Sequence, residues 1–412
     1  MLSSVKVLLL VENNAYPFDV RVRREAHALR DAGYQVTVIS PRSGAQPWNE
    51  QIDGISVYRF PAPPGGVELL GYAFEFGYAT LVMLLLTAWV AVRKGVDVIH
   101  VANPPDTLFV IGALFKLFGK QFVFDHHDLA PETYLSRFNK PSPNLVYKTL
   151  RLMERCTYAV ADVVIATNES YKQMALTRGR KTSDKVFVVR NGPPLSFQPT
   201  EPDPDLAKRA NYLVGYIGTM GPQDGVDYWL RAIREMVFTL DRRDFLAVII
   251  GSGDALTSLQ ALVKELQIEP YVWFTGRISD LEARTYLSTV NVCVHPDPLN
   301  PLNDKSTMNK MMEYMALGKP VVSFDLVEAR FSAQDAAVYA RPNDELEFGQ
   351  RVSWLFDNPD ECKKMGEIGQ ERVSNVLAWE YSVPELLRAY SDGLGLHSCR
   401  SDRLDLSLER NK

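Results

Sequence analysis

The chain has 412 residues, of which 46% are hydrophobic and 23% charged, and its formal net charge is −5. These are globular values, and at ~100–200 residues per domain the length implies two domains, which excludes a disordered, collagen-like or coiled-coil protein. The acidic balance also argues against a general nucleic-acid binder, which needs a basic surface.

Val5–Val11 is an apolar run of strand length. Asp19 is placed to cap a helix that runs to about Ala32, with Gly33 at its end. Strands follow at Gln35–Ser40, Ile55–Phe60, Asp97–Ala102, Gln121–Phe124, Val163–Thr167 and Val186–Arg190, with helical stretches between most of them. Apolar strands alternating with helices predict a parallel sheet covered on both faces. Phe76–Val92 carries no charge and is followed by Arg93 and Lys94. At 17 residues it falls short of the ~20 that span a bilayer. It reads as a buried crossover helix, a helix lying on a membrane, or a span.

The stretch from Pro193 to Asp205 is proline-rich and aperiodic, so residues 195–210 read as an inter-domain linker. The alternation restarts at Tyr212–Ile217, Phe245–Gly251, Tyr271–Thr275, Asn291–His295 and Pro320–Phe324. Trp379 to about Tyr390 reads as helical after a break near Pro384, and 396–412 as a disordered polar tail. The expected organisation is α/β with two doubly wound domains facing a cleft. They are an N-terminal domain 1–194 and, past the linker, a domain 211–376, followed by a C-terminal helix 377–395. Ligands of such sheets sit beyond the C-terminal ends of the strands, so the strand-to-helix loops hold the candidate residues.

Cys156, Cys293, Cys362 and Cys399 stand far apart, with no CxxC or metal-ligand spacing, which suits a reducing compartment. The start of the chain lacks a signal-peptide layout, so a cytoplasmic location is expected. Residues 1–195 carry 22 Lys+Arg against 17 Asp+Glu, a net +5, and the remainder carries 23 against 33, a net −10. A basic N-terminal half suits an anionic membrane surface or a phosphorylated acceptor.

The most informative stretch is Asn303–Val322. Ser306 or Thr307 can cap a helix there, Gly318 suits its end, and Pro320 stops it. A helix starting just after a strand makes an anion site. Lys310 lies one turn in, with Glu313 on the same side, so Lys310 suits a phosphate and Glu313 ribose hydroxyls.

The run from Lys310 through Glu313, Gly318 and Pro320 to Val322 resembles the donor-nucleotide signature of glycosyltransferase family 4, whose fold is GT-B. Other segments agree in order and spacing: Asp19–Glu25 with Gly33–Val36, Asp97–His100, Asp125–Glu132, Arg190–Gly192, Gly215–Gly218, Ile250–Asp254, Val272–Arg277 and Ala378–Glu380. Each is weak alone; their order over roughly residues 5–392 carries the resemblance. The nearest subgroup is the bacterial exopolysaccharide or capsule enzymes.

The resemblance implies a retaining transfer from a nucleotide-diphosphate sugar to a lipid-linked or saccharide acceptor, and a C-terminal helix that crosses back to the first domain. No metal or further cofactor is implied, since helix N-termini and cations neutralise the leaving diphosphate. His127 would contact the transferred sugar near the reacting carbon, with Asp128 beside it and His126 as its rival. Glu313 would complete the catalytic set. Donor contacts would come from Asn191, Gly218, Gly251, Gly253, Arg277, Lys305, Ser306, Thr307 and Lys310, with Arg277 near the nucleobase. The acceptor side would be Asn13, Asn14, Asp19, Arg21 and Arg24. Front-side attack, with the leaving phosphate taking the acceptor proton, removes the need for a glycosidase-like carboxylate pair.

Three departures stand out. Position 305 is lysine where the family carries the first of two glutamates eight apart, with Asp304 as a neighbouring substitute. The stretch Gly218–Gly225 lacks the usual arginine and lysine, and leaves Asp224 near the expected diphosphate. Asn13-Asn14 replaces the usual glycine pair. Two other readings use the same fold: a sugar-nucleotide epimerase, and a non-catalytic nucleotide-sugar-binding scaffold. A dinucleotide oxidoreductase is disfavoured, because no GxGxxG follows either domain's first strand.

Overall fold

The computed structural model describes residues 4–62, 69–138 and 142–396, and the chain separates into two compact units. One holds residues 1–132, 142–190 and 382–412; the other holds 133–141 and 191–381. Residues 397–412, most of the tail expected to be disordered, lie outside the described residues together with Cys399.

The first unit contains β1 (Lys6–Leu10), β2 (Gln35–Arg42), β3 (Asn49–Ile52), β4 (Ile55–Pro61), β5 (Val98–Ala102), β6 (Gln121–His126), β7 (Val163–Ala166) and β8 (Val186–Val188). They form one sheet in the order β3-β4-β2-β1-β5-β6-β7-β8. Its central strands are buried almost throughout, which is why they read as continuous apolar runs. The sequence reading missed β3, the one antiparallel strand, whose Ile52 pairs with Ile55 across Asp53-Gly54. Both turn residues have positive φ, 50° and 80°, the geometry of a two-residue hairpin that an Asp-Gly pair favours.

Helices α1 (Val20–Asp31), α2 (Leu69–Lys94), α3 (Phe109–Lys116), α4 (Ala130–Arg137), α5 (Leu145–Val160) and α6 (Glu169–Thr177) connect these strands. The chain moves from β1 toward the β4 edge through α1, and from β4 toward the β8 edge through the others. Right-handed crossovers therefore put α1 on one face and α2, α3, α5 and α6 on the other. The direction reverses between β1 and β5, so the loops after these two strands open at the switch point.

The second unit contains β9 (Tyr212–Ile217), β10 (Phe245–Ile250), β11 (Val272–Gly276), β12 (Val292–His295), β13 (Val321–Phe324) and β14 (Ala337–Ala340), all parallel, in the order β11-β10-β9-β12-β13-β14. Its switch point lies between β9 and β12. The helices are α7 (Pro204–Ala207), α8 (Val226–Phe238), α9 (Leu256–Glu265), α10 (Asp280–Thr289), α11 (Asn309–Ala316), α12 (Val327–Ala333), α13 (Glu345–Asp357) and α14 (Pro359–Arg372). The last helix, α15 (Trp379–Ser391), starts in this unit and from Ser382 onward belongs to the first, where Tyr390 Oη meets His100 Nδ1 at 2.8 Å.

Three expectations about segments need correction. Residues 195–210 are not a free linker: Thr200 N donates to Ser288 Oγ and Asp203 N to Thr289 Oγ1, and Asp203 caps α7. The segment is thus hydrogen-bonded to α10. Pro384 does not break α15, because in the second turn it removes only one backbone donor. Residues 133–141 cluster with the second unit, where Ser136 Oγ donates to Asn300 Oδ1.

Candidate functional site

In the first unit the loops at the switch point converge on Asn103, which is fully buried at the end of β5. Its carboxamide oxygen accepts from the backbone N–H of His127 at 2.9 Å and of Asp128 at 3.1 Å. Its NH2 group donates to Asp128 O at 2.8 Å and to Asp106 Oδ1 at 3.1 Å. One side chain therefore sets the backbone of the turn that follows β6. Along β6, Phe124 and His126 point one way and Asp125 the other, as the period of two demands. His126 is accordingly a core residue: it is fully buried, its Nδ1 meets Tyr158 Oη at 2.8 Å, and its ring lies against Phe124 and Tyr171. Burial pushes its pKa down to about 3.

His127 reaches the surface of the unit, and its Nδ1 lies 3.1 Å from Asp125 Oδ2. Asp125 is a carboxylate: burial alone would raise its pKa, but Arg21 and His127 hold it well below the ordinary range. It can only accept, so Nδ1 carries the proton and Nε2 is left to face a ligand.

Arg21 corrects an expectation. The resemblance places it on the acceptor side, yet it is 4% exposed. Its Nε and Nη2 grip Asp125 at 2.8 and 2.6 Å, Nη1 donates to Val189 O at 2.9 Å, and Glu25 Oε1 lies 3.2 Å from Nη2. Every arm of the guanidinium is engaged inside the unit. Asp19 is likewise internal, accepting from Val22 N as the cap of α1. Arg24 is half-buried and engaged, whereas Asn13 and Asn14 are exposed in the loop after β1. Glu25, His100 and Asp125 bring ligand-type atoms within 4.8 Å of one another. The Arg21 guanidinium already supplies positive charge to both of those carboxylates.

Two carboxyls at this edge escaped the sequence reading. Glu12, just past β1, is pushed up to about 7 by burial and then by Glu75. Asp106, in the loop after β5, is pushed up to about 8 by burial and then by Glu154. For Glu12 the signal was available, since it directly follows the apolar run Val5–Val11; Asp106, four residues past β5, carries no such cue.

In the second unit, the loops after β9 and β10 touch backbone to backbone. Met220 N donates to Ser252 O at 3.0 Å and Gly218 N to Ile250 O at 3.1 Å. A Cβ on Gly251, at φ 127°, would come 2.0 Å from Gly218 O, and one on Gly253 would come 2.4 Å from Met220 O. These glycines are required for the two loops to approach. A Cβ on Gly218 would meet the Tyr216 hydroxyl at 2.9 Å.

Beyond β12, Lys310 Nζ donates to Asp297 Oδ1 at 2.7 Å and sits 4.9 Å from the centre of the Tyr216 ring. Burial would lower its pKa, but Asp297 and Tyr216 raise it, so the ammonium stays charged. Asp224 Oδ2 accepts from Gly221 N at 2.7 Å, and burial pushes its carboxyl up to about 6. Among the described residues, Asp297 Oδ2, His295 Nε2 and Asn303 Oδ1 are buried without a hydrogen-bond partner.

The expected cap of α11 is also corrected. Met308 is the N-cap, without a side-chain bond, because both hydroxyls are used elsewhere. Ser306 Oγ donates to Leu302 O and Thr307 Oγ1 to Glu328 Oε2. Asp304, the proposed substitute for a missing glutamate, accepts from Val327 N at the start of α12. Lys305, Glu313 and Asn191 are half-buried and engaged, and Arg277 is exposed directly after β11. The structure thus gathers Gly218, Gly251 and Gly253 at one loop pair, Lys310 at the end of β12, and His127 with Asp128 at the first unit's switch point.

Two doubly wound, mostly parallel sheets in one chain, each with loops built for ligands at its switch point, define the GT-B class. A family model for a glycosyl transferase 4-like domain matches residues 19–192, and one for glycosyl transferases group 1 matches residues 211–358. An uncharacterized glycosyltransferase of Haemophilus influenzae is 22% identical over 89% of this chain and 92% of its own length. Sucrose-phosphate synthase of Thermosynechococcus elongatus superposes with a TM-score of 0.77 at 18% identity, over 95% of this chain and 99% of that one. Anabaena HepE, solved in complex with UDP-glucose, gives 0.69 at 16% identity over 94% and 99%. The chain belongs to the family-4-like glycosyltransferases of the GT-B fold and is a glycosyltransferase of glycan biosynthesis.

Proposed function

We propose that the chain is a retaining, metal-independent glycosyltransferase. Its donor is a nucleoside-diphosphate sugar held by the second unit, and its acceptor a lipid-linked or saccharide hydroxyl held by the first, in the assembly of a polysaccharide at the cytoplasmic side of a membrane. The observation that carries the reading is His127, held by Asn103 through its backbone and by Asp125 through its ring, with its side chain 15% exposed in the turn after β6. An imidazole fixed in one tautomer can hold a sugar hydroxyl next to the reacting carbon. In the transfer, the bond from the anomeric carbon to the phosphate oxygen breaks as the acceptor oxygen bonds to that carbon on the same face. The proton of the acceptor goes to the departing phosphate. Lys310, together with the close-packed loop backbones, supports the developing diphosphate charge. Family membership supports the reading, and the UDP-glucose complex of HepE supports a nucleotide-sugar donor by analogy.

The test uses a panel of UDP, GDP, dTDP and ADP in thermal unfolding, followed by sugar transfer from the selected donor. One nucleoside diphosphate is expected to raise the melting temperature, and His127→Ala is expected to keep that rise while losing at least a hundredfold in transfer. A variant with full transfer removes His127 from the mechanism. Inversion at the anomeric carbon of the product overturns the retaining reading.

A further inference from the structure

The outer helix layer of the first unit is apolar on the side turned away from its sheet. In α2, Ala79, Met83, Thr87 and Val90 are fully buried at helical spacing, and the helix packs on β2 and α3. On the opposite side, Phe74, Leu81, Leu85 and Val92 are exposed by 61, 58, 62 and 86%. A helix whose outer side meets water carries polar residues there. Only 22% of the most apolar window of α2 is buried, so it is not a core helix.

The neighbouring helix repeats the pattern. α3 turns Ile111, Gly112 and Phe115 inward and exposes Val110 and Leu114, and the turn that ends it exposes Leu117 and Phe118, by 80 and 70%. α5 packs on α3 and adds exposed Leu145 and Leu152, seven residues apart on one side. Scattered exposed hydrophobics are ordinary, but stripes on three successively packed helices make a continuous face.

The charges around this face select its occupant. Among the described residues of α2, α3 and α5, every exposed charged side chain is cationic: Arg93, Lys148 and Arg155, together with Lys116, which is paired with Asp162, and Lys94, which bonds Ser56 Oγ. Arg93 also lies over the ring of Trp89, which is itself exposed at the end of the apolar helix. An apolar ridge edged by cations and an aromatic ring matches the boundary between acyl chains and anionic headgroups.

We infer that the α2–α3–α5 face docks on an anionic lipid surface, lying in the interface. Although α2 is long and apolar enough to cross a membrane, it is the crossover between β4 and β5. Spanning would pull its buried stripe out of the unit. The docking gives the proposed lipid-linked acceptor a surface and rests on that reading for its purpose, but it is measured without any transfer.

The full chain is mixed with vesicles of phosphatidylcholine alone, or with about one-third phosphatidylglycerol, and sedimented. Binding is expected to the anionic vesicles and at least tenfold weaker to the neutral ones. Leu117→Asp with Phe118→Asp, both exposed and so compatible with folding, is expected to lower binding at least tenfold at unchanged melting temperature. Lys148→Glu with Arg155→Glu is expected to make the binding release at lower salt. Equal binding of wild type and both variants overturns the face. So does a concentration-dependent dimer, without vesicle binding, that Leu117→Asp dissociates, because the occupant is then a second copy. A variant that loses vesicle binding but keeps its nucleotide-induced stabilisation fails only in docking, whereas intact docking without that stabilisation counts against the donor reading.

Discussion

Arg21 and Lys310 are each the second residue of a helix that follows a strand, and each is buried against a carboxylate at a strand end. Arg21 spends all its arms inside the protein: two on Asp125 and one on the carbonyl of Val189. Lys310 gives one hydrogen bond to Asp297 and rests on the Tyr216 ring, with orphaned polar atoms of Asp297, His295 and Asn303 in its neighbourhood. A guanidinium fork suits fixed, bidentate duty, while an ammonium with three donors and one acceptor retains capacity for another anion. Two cations that look alike in sequence therefore have different uses. Arg21 holds Asp125, which orients His127, and Lys310 remains able to meet a phosphate.

The largest effect tests the closed pair. Arg21→Met leaves Asp125 and Glu25 buried without their cation, and is expected to cost about 3–5 kcal/mol in denaturant unfolding. Adding Asp125→Asn to it should restore part of the loss. A midpoint unchanged by Arg21→Met would end the claim that this pair is structural. Lys310→Met is expected to cost less stability, because burial already raises the Asp297 carboxyl, which can take a proton instead of standing as a bare charge. Its main effect should be on nucleoside-diphosphate affinity, weakened at least tenfold, about 1.4 kcal/mol, by titration calorimetry. If the two variants lose stability alike and nucleotide affinity is untouched, the contrast fails.

The smallest effect concerns Glu12, whose carboxyl burial lifts from 4.5 to about 7. Protonated in both states below 4.5, it costs nothing there. Between pH 4.5 and about 7 the unfolded chain releases this proton while the folded state keeps it, so stability is lost as pH rises over that window and levels off above it. Melting temperature measured from pH 5 to 8 should fall less steeply for Glu12→Gln than for wild type, by a few degrees at the alkaline end. Parallel curves would show that Glu12 does not carry that dependence.

Much of the fold was legible. Every parallel strand of the first unit lies within two residues of an apolar run, because strands covered on both faces have no polar side to interrupt them. The short β14, Ala337–Ala340, went unseen because small residues give little periodicity, and β3 because its cue is the Asp53-Gly54 turn rather than its side chains. At the site, the choice between His126 and His127 was decidable from strand alternation, since His126 continues the Phe122–Phe124 side into the core. The hydroxyls of Ser306 and Thr307 were misread because their partners, Leu302 and Glu328, are not those of a helix cap.

The sequence by itself determined two α/β units, the loops that carry the chemistry and the family to which the chain belongs, because these rest on local periodicity, turn chemistry and motif order. Tertiary structure alone decided which charges are spent internally. Arg21 meets a carboxylate 104 positions away, and no local pattern announces that partner. It also decided that the apolar outer sides of α2, α3 and α5 lie on one helix layer, since only packing determines which face of a helix its neighbours leave exposed.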